Sequence, residues 1–79
     1  MDAQQIKQII ESHLPGSEVL PSGEGCNFNV TVVSEVFSGM LPVKKQQLIY
    51  DCLTEYIADG SIHAIGIKTY TPQQWEQKV

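Results

Sequence analysis

The feature that most constrains this chain is a helical apolar stripe set between two strand-like segments. Leu48, Ile49, Cys52, Leu53, Tyr56 and Ile57 recur at the spacing of one helix face. Ahead of them, in Asn27 to Ser34, Phe28, Val30 and Val32 alternate with Asn29 and Thr31, the pattern of a half-buried strand. Behind them, Ile62 to Tyr70 is apolar on both parities, Ile62 and Ala64 against Ile65 and Ile67, which predicts the best-covered strand. A helix between two strands predicts a right-handed crossover joining parallel neighbours.

The flanking segments extend this core. Asp2 to about His13 reads as a helix with Ile6, Ile9, Ile10 and His13 on one stripe; Asp2 is its N-cap and Pro15-Gly16 ends it. Ser17 to Pro21 reads as a short strand centred on Val19, with Pro21 marking a strand end or sheet edge. Ser22-Gly23-Glu24-Gly25 reads as a loop, and the connection between these two strands holds Cys26. Phe37 to Pro42 reads as a loop around Gly39, Pro42 suits a first helical turn, and Asp59-Gly60 ends the long helix. Thr71-Pro72-Gln73-Gln74 has the form of a capping box before a short last helix with Trp75 facing inward. The order is α-β-β-α-β-α, a two-layer α+β sandwich with helices on one face of a three-stranded mixed sheet.

Seventy-nine residues suffice for one domain, 1–79, and not for two cores. A hydrophobic fraction of 42% with 18% charged residues is wrong for a disordered chain. Nine acidic residues against five lysines and no arginine give a net charge of −4, which opposes broad binding to phosphate backbones. No apolar run approaches the ~20 residues of a membrane span. Met1 to Gln5 has neither a basic start nor an apolar signal core, so a cytoplasmic protein with reduced cysteines is expected.

No Walker A loop, GxGxxG, HExxH or GxSxG occurs, and Gly23-Glu24-Gly25 lacks the third glycine of a dinucleotide turn. The chain is therefore not expected to be an enzyme. Its soft metal-ligand types are His13, Cys26, Cys52 and His63. Cys52 lies within the apolar stripe and reads as a small buried hydrophobe. His13, at a helix C-terminus, reads as a cap. Cys26 sits in a glycine-flanked loop whose amides can favour a thiolate; an incidental loop cysteine is the plainer reading. His63 opens the third strand, where a hydrogen-bonded structural histidine is the plainer reading. Two exposed ligands cannot complete a zinc site or an iron–sulfur cluster, which takes about four donors, so a partner would have to supply the rest. Lys44 and Lys45 stand in the first turn of the long helix, where the dipole disfavours cations. That placement reads as an anion or partner site, or as a plain solvated face.

Phe37-Ser38-Gly39, followed by a helix and then by Ile62-His63-Ala64-Ile65-Gly66-Ile67-Lys68-Thr69-Tyr70-Thr71-Pro72-Gln73-Gln74-Trp75, resembles the BolA family over nearly the whole chain. Val43-Lys44-Lys45-Gln46-Gln47, Tyr50 and Glu55 to Asp59 are most similar to its bacterial IbaG/YrbA-type branch. The resemblance implies the fold α-β-β-α-α-β-α, like a class II KH domain, with an extra short helical turn around Gly39–Lys44. It also implies partnership with a monothiol glutaredoxin, sharing a [2Fe-2S] cluster with it and its glutathione, and no cofactor in the isolated chain, expected to be a monomer or weak homodimer. The cluster ligands it implies are His63 and a loop group that corresponds to Cys26. The bacterial branch instead carries a histidine directly before the phenylalanine, where this chain has Asn27. The alternative role it implies is a KH-like DNA-binding regulator of stress response and cell morphology, working through Lys44, Lys45 and Lys68. Other members carry an Arg-His-Arg-like run where this chain has Lys44-Lys45-Gln46, and no KH-type GxxG loop is present.

Overall fold

The computed structural model describes residues 2–24 and 27–78. Cys26, one of the two expected cluster ligands, lies outside the described residues. The elements in chain order are α1 (Ala3–His13), β1 (Glu18–Glu24), β2 (Asn27–Val33), a 3-10 turn (Glu35–Phe37), α2 (Pro42–Ala58), β3 (Ala64–Tyr70) and α3 (Pro72–Lys78). The sheet order is β1-β2-β3, with β1 antiparallel to β2 and β2 parallel to β3. The expected mixed sheet and crossover helix are both present.

Strand parity sorts the core. Val19, Phe28, Val30 and Val32 share the inner face with half-buried Ile65 and Ile67. Ile6 and Ile10 of α1 and Ile49, Cys52 and Leu53 of α2 pack into the same cluster. Each large side chain buried this way contributes about 1.5–3 kcal/mol of transfer free energy. The outer face carries exposed Ser22, Asn29, Gly66 and Lys68.

The helix ends are fixed by local chemistry. Asp2 caps α1, its carboxylate accepting from the Gln5 amide at 2.9 Å while the Gln5 side chain accepts from the Asp2 amide at 2.8 Å. The expected Thr71 box is present: Thr71 Oγ1 accepts from Gln74 N at 3.2 Å, and Gln74 Oε1 accepts from Thr71 N at 2.9 Å.

Three expectations need correction. The first strand does not stop at Pro21; it runs to Glu24, so Ser22 to Glu24 pair with Asn29 to Asn27 instead of forming a loop. Pro21 sits mid-strand because its nitrogen faces outward at the sheet edge, where no ladder bond is lost. Gly23 serves close approach, not a loop: at φ 109° a Cβ would collide with the Asn27 carbonyl and lie 2.8 Å from Phe28 Cα. The third strand begins at Ala64, not Ile62, and is not the best covered: it is the other edge, with no residue fully buried. The central, best-buried strand is β2. Finally, Phe37 is not a loop residue. It closes the 3-10 turn and is fully buried, and this turn lies ahead of the Gly39–Lys44 stretch where the resemblance implied one. Gly39, at φ 78°, makes the reversal into α2.

Candidate functional site

His63 is presented by a turn with few free degrees of motion. After α2, Gly60 takes a φ of 85°, the Asp59 carboxylate accepts from Ser61 N at 2.8 Å, and Ile62 N donates to Tyr56 O at 3.0 Å. Those Ser61 contacts hold the Asp59 carboxyl below its usual value. Ile62 plugs the core at 2% exposure, and the next residue, His63, is exposed. His63 has no hydrogen-bond or ion-pair partner among the described residues. It borders a depression of about 300 Å³ lined also by Tyr50, Ile57, Ile62, Ala64 and Ile65. Tyr50 and Ile57 are more than a third exposed, although Ile57 belongs to the stripe read as core.

The donor chemistry suits a shared metal centre more than a closed one. Among the described residues, no three His, Cys, Asp or Glu side chains gather as a metal site. An accessible imidazole with no competing partner remains free to bind a metal held mainly by another molecule. Among the described residues, the other ligand-type side chains are committed. Cys52 is buried, its Sγ 3.3 Å from Leu48 O, and burial pushes its thiol above the ordinary value. His13 Nδ1 lies 2.9 Å from Ile9 O in the last turn of α1, the capping role expected for it.

The lysines do not share one depression. Lys45 lines one with Thr69, Tyr70, Gln74 and Gln77. Lys68 lines another on the outer sheet face with Ser22, Asn29 and Gly66. Lys44 is exposed at the start of α2 beside Leu41 and Val43, which are 65% and 69% exposed. Sequence reasoning located His63 but missed Tyr50 and Ile57 beside it. Their signal was available: seven residues apart, they lie together on one flank of the α2 stripe, off the Ile49–Leu53 centre.

Among the described residues, no helix is long and apolar enough to cross a membrane. The family described as BolA-like protein matches residues 2–74. The acid stress protein IbaG of Escherichia coli K12 is 48% identical over 75 residues, covering 95% of this chain and 89% of that protein. A BolA homologue from Coxiella burnetii superposes with a TM-score of 0.86 at 34% identity, covering 96% of this chain and 97% of the other. BolA1 from Arabidopsis thaliana superposes at 0.80 with 29% identity, covering 91% and 93%. With sequence and fold in agreement over nearly its full length, the chain belongs to the BolA family.

Proposed function

We propose that this protein is a non-catalytic adaptor that binds a monothiol glutaredoxin and shares a [2Fe-2S] cluster with it through His63 and Cys26. The observation that carries the reading is the exposed, unpartnered imidazole of His63 beside an apolar depression. A [2Fe-2S] cluster takes four donors. The glutaredoxin and its glutathione would give two thiolates, and this chain the other two. The β2–β3 register supports the pairing. Asn27 opposes Ala64, and each proposed ligand is one peptide bond upstream of a member of that pair. Tyr50 and Ile57 offer the partner an apolar surface beside the metal, where burial keeps water from the iron.

An imidazole in place of a thiolate removes one negative charge from the iron and raises its reduction potential, as in Rieske centres. A role in cytoplasmic iron–sulfur trafficking or stress response follows, in line with the acid-stress name of the Escherichia coli relative. The reducing cytoplasm keeps the thiol ligand available.

Anaerobic mixing with a monothiol glutaredoxin, glutathione, iron and sulfide tests the reading. The visible absorption and circular dichroism should differ from those of the glutaredoxin cluster alone, and His63→Ala or Cys26→Ala should remove the difference. A spectrum matching glutaredoxin alone in the presence of the unaltered chain sinks the idea. The DNA-binding alternative, with Lys44, Lys45 and Lys68, finds less support. Lys45 and Lys68 line separate depressions, and the net charge of −4 opposes a phosphate backbone.

A further inference from the structure

The turn that presents His63 also holds a reactive dipeptide. Asp2, Asp51, Asn27 and Asn29 precede Ala3, Cys52, Phe28 and Val30, and Asp59 alone of the aspartates and asparagines precedes a glycine. Glycine has no Cβ to crowd its own amide nitrogen, so an Asp-Gly bond is where that nitrogen most readily attacks the preceding side-chain carboxyl. Packing does not shield the pair. Asp59 and Gly60 are both exposed, and a Cβ built on Gly60 would meet nothing within 4 Å.

The turn itself holds the reaction back, in three ways. The Asp59 carboxylate accepts from Ser61 N at 2.8 Å, which commits it beyond Gly60. The Gly60 amide is also in use, donating to Ile57 O at 3.3 Å. Ring closure needs Asp59 Cβ eclipsed with the Gly60 nitrogen. That is roughly a 120° rotation of ψ from the observed 0°, into a region closed to an L-residue at a φ of −87°. All three restraints are lost together when the last turn of α2 frays, and helix ends open at the smallest cost.

We propose that Asp59-Gly60 is a site of backbone isomerisation, held shut by the turn that ends α2 and reactive when that turn opens. In the open turn the Gly60 nitrogen bonds to Asp59 Cγ. One carboxyl oxygen leaves as water, carrying the amide proton and one solvent proton. Water then opens the cyclic imide. Attack at Cγ restores aspartate. Attack at the Asp59 backbone carbonyl carbon leaves the chain running through the side-chain carboxyl, with a free α-carboxylate. No electrons are exchanged, and the product has the mass of the starting chain. It carries an extra methylene in the backbone between Ala58 and Gly60. That insertion lengthens the path on which Ser61 N reaches Asp59 and Ile62 N reaches Tyr56 O, the contacts that set Ile62 in the core and His63 outside it.

Ageing the intact chain in buffer and in urea, at one pH and one temperature, tests this. Samples are labelled with a carboxyl methyltransferase specific for β-linked aspartate and radioactive S-adenosylmethionine, then digested and mapped. The urea sample should take up label at Asp59 and nowhere else, about tenfold or more faster than the native sample. Denaturant added below the unfolding transition should raise the native rate in step with hydrogen exchange of the Ser61 amide, because both need the same opening. Asp59→Glu keeps the carboxylate but would have to close a larger ring, and should take up no label in either sample. A ratio below tenfold, or a native rate that does not follow Ser61 exchange, overturns the restraint by the turn. Label at another residue, no label in urea, or label that survives Asp59→Glu overturns the site.

Discussion

Where β2 and β3 finish, specific contacts tie the chain down. Ser34 N donates to Tyr70 O at 2.9 Å, Thr71 and Gln74 cap each other, and the Trp75 ring leans on Tyr70 at a centroid distance of 5.4 Å. Phe37 is buried in the turn that follows β2. Where the same two strands begin, the arrangement is reversed. Ile62 is anchored in the core, and the residue after it offers an imidazole with no partner among the described residues to solvent. One end of the parallel pair uses its polar groups for stability, and the other leaves a donor unused. The difference shows where a binding role fits: a side chain already committed to a cap or a ladder cannot be lent to a partner.

The largest break in this contrast should come from the closed end. Phe37→Ala removes a fully buried ring and should destabilise the fold by about 3–5 kcal/mol, read from urea unfolding. Thr71→Ala should cost about 1 kcal/mol through loss of the α3 cap. Gln74→Ala combined with it should add less than its single effect, because the two side chains cap reciprocally; a double-mutant cycle measures this.

A smaller effect should come from Cys52. Its thiol is held protonated above the ordinary range in the folded chain, so the unfolded thiol ionises first. Stability should therefore decline as pH rises from the ordinary thiol value through the raised folded one. Cys52→Ala should flatten that slope in unfolding curves measured across alkaline pH. The native thiol should also resist alkylation until urea exposes it.

The smallest stability effect should fall on the open end. His63→Ala should shift unfolding by no more than about 0.5 kcal/mol, since the ring is exposed and unpartnered. The same variant should lose the mixed-cluster spectrum entirely. A clear loss of stability in His63→Ala would instead assign the residue a structural role and erase the contrast between the two ends.

Local chemistry was the legible part of this chain. The Asp2 cap, the Thr71–Gln74 box and the α2 stripe each rest on residues three or four apart, and each stands where the spacing predicts. Sheet order is non-local, which is why β3 read as the covered strand: two apolar parities look the same in a central strand and in an edge strand shielded by helices on one side. Ser22 to Glu24 misled for a related reason. Glycine marks a turn as readily as it marks a close backbone approach, and only the Asn27 carbonyl beside Gly23 separates the two. At the site, His63 was legible through its family motif. Tyr50 and Ile57 were legible only as neighbours on one flank of α2, because helical spacing shows which residues share a face and not how far the sheet beneath them extends. The basic residues of the sequence were readable as charges, but only the fold separates Lys45 from Lys68.

The central claim is that a nitrogen of His63 binds iron in a cluster completed by a partner. Pulsed electron paramagnetic resonance of the reduced mixed cluster tests it directly, with this chain labelled with ¹⁵N and the glutaredoxin unlabelled. The account predicts a strong ¹⁵N hyperfine coupling of an iron-bound imidazole, absent in His63→Ala. A mixed cluster with no such coupling, or with one that survives His63→Ala, would contradict it.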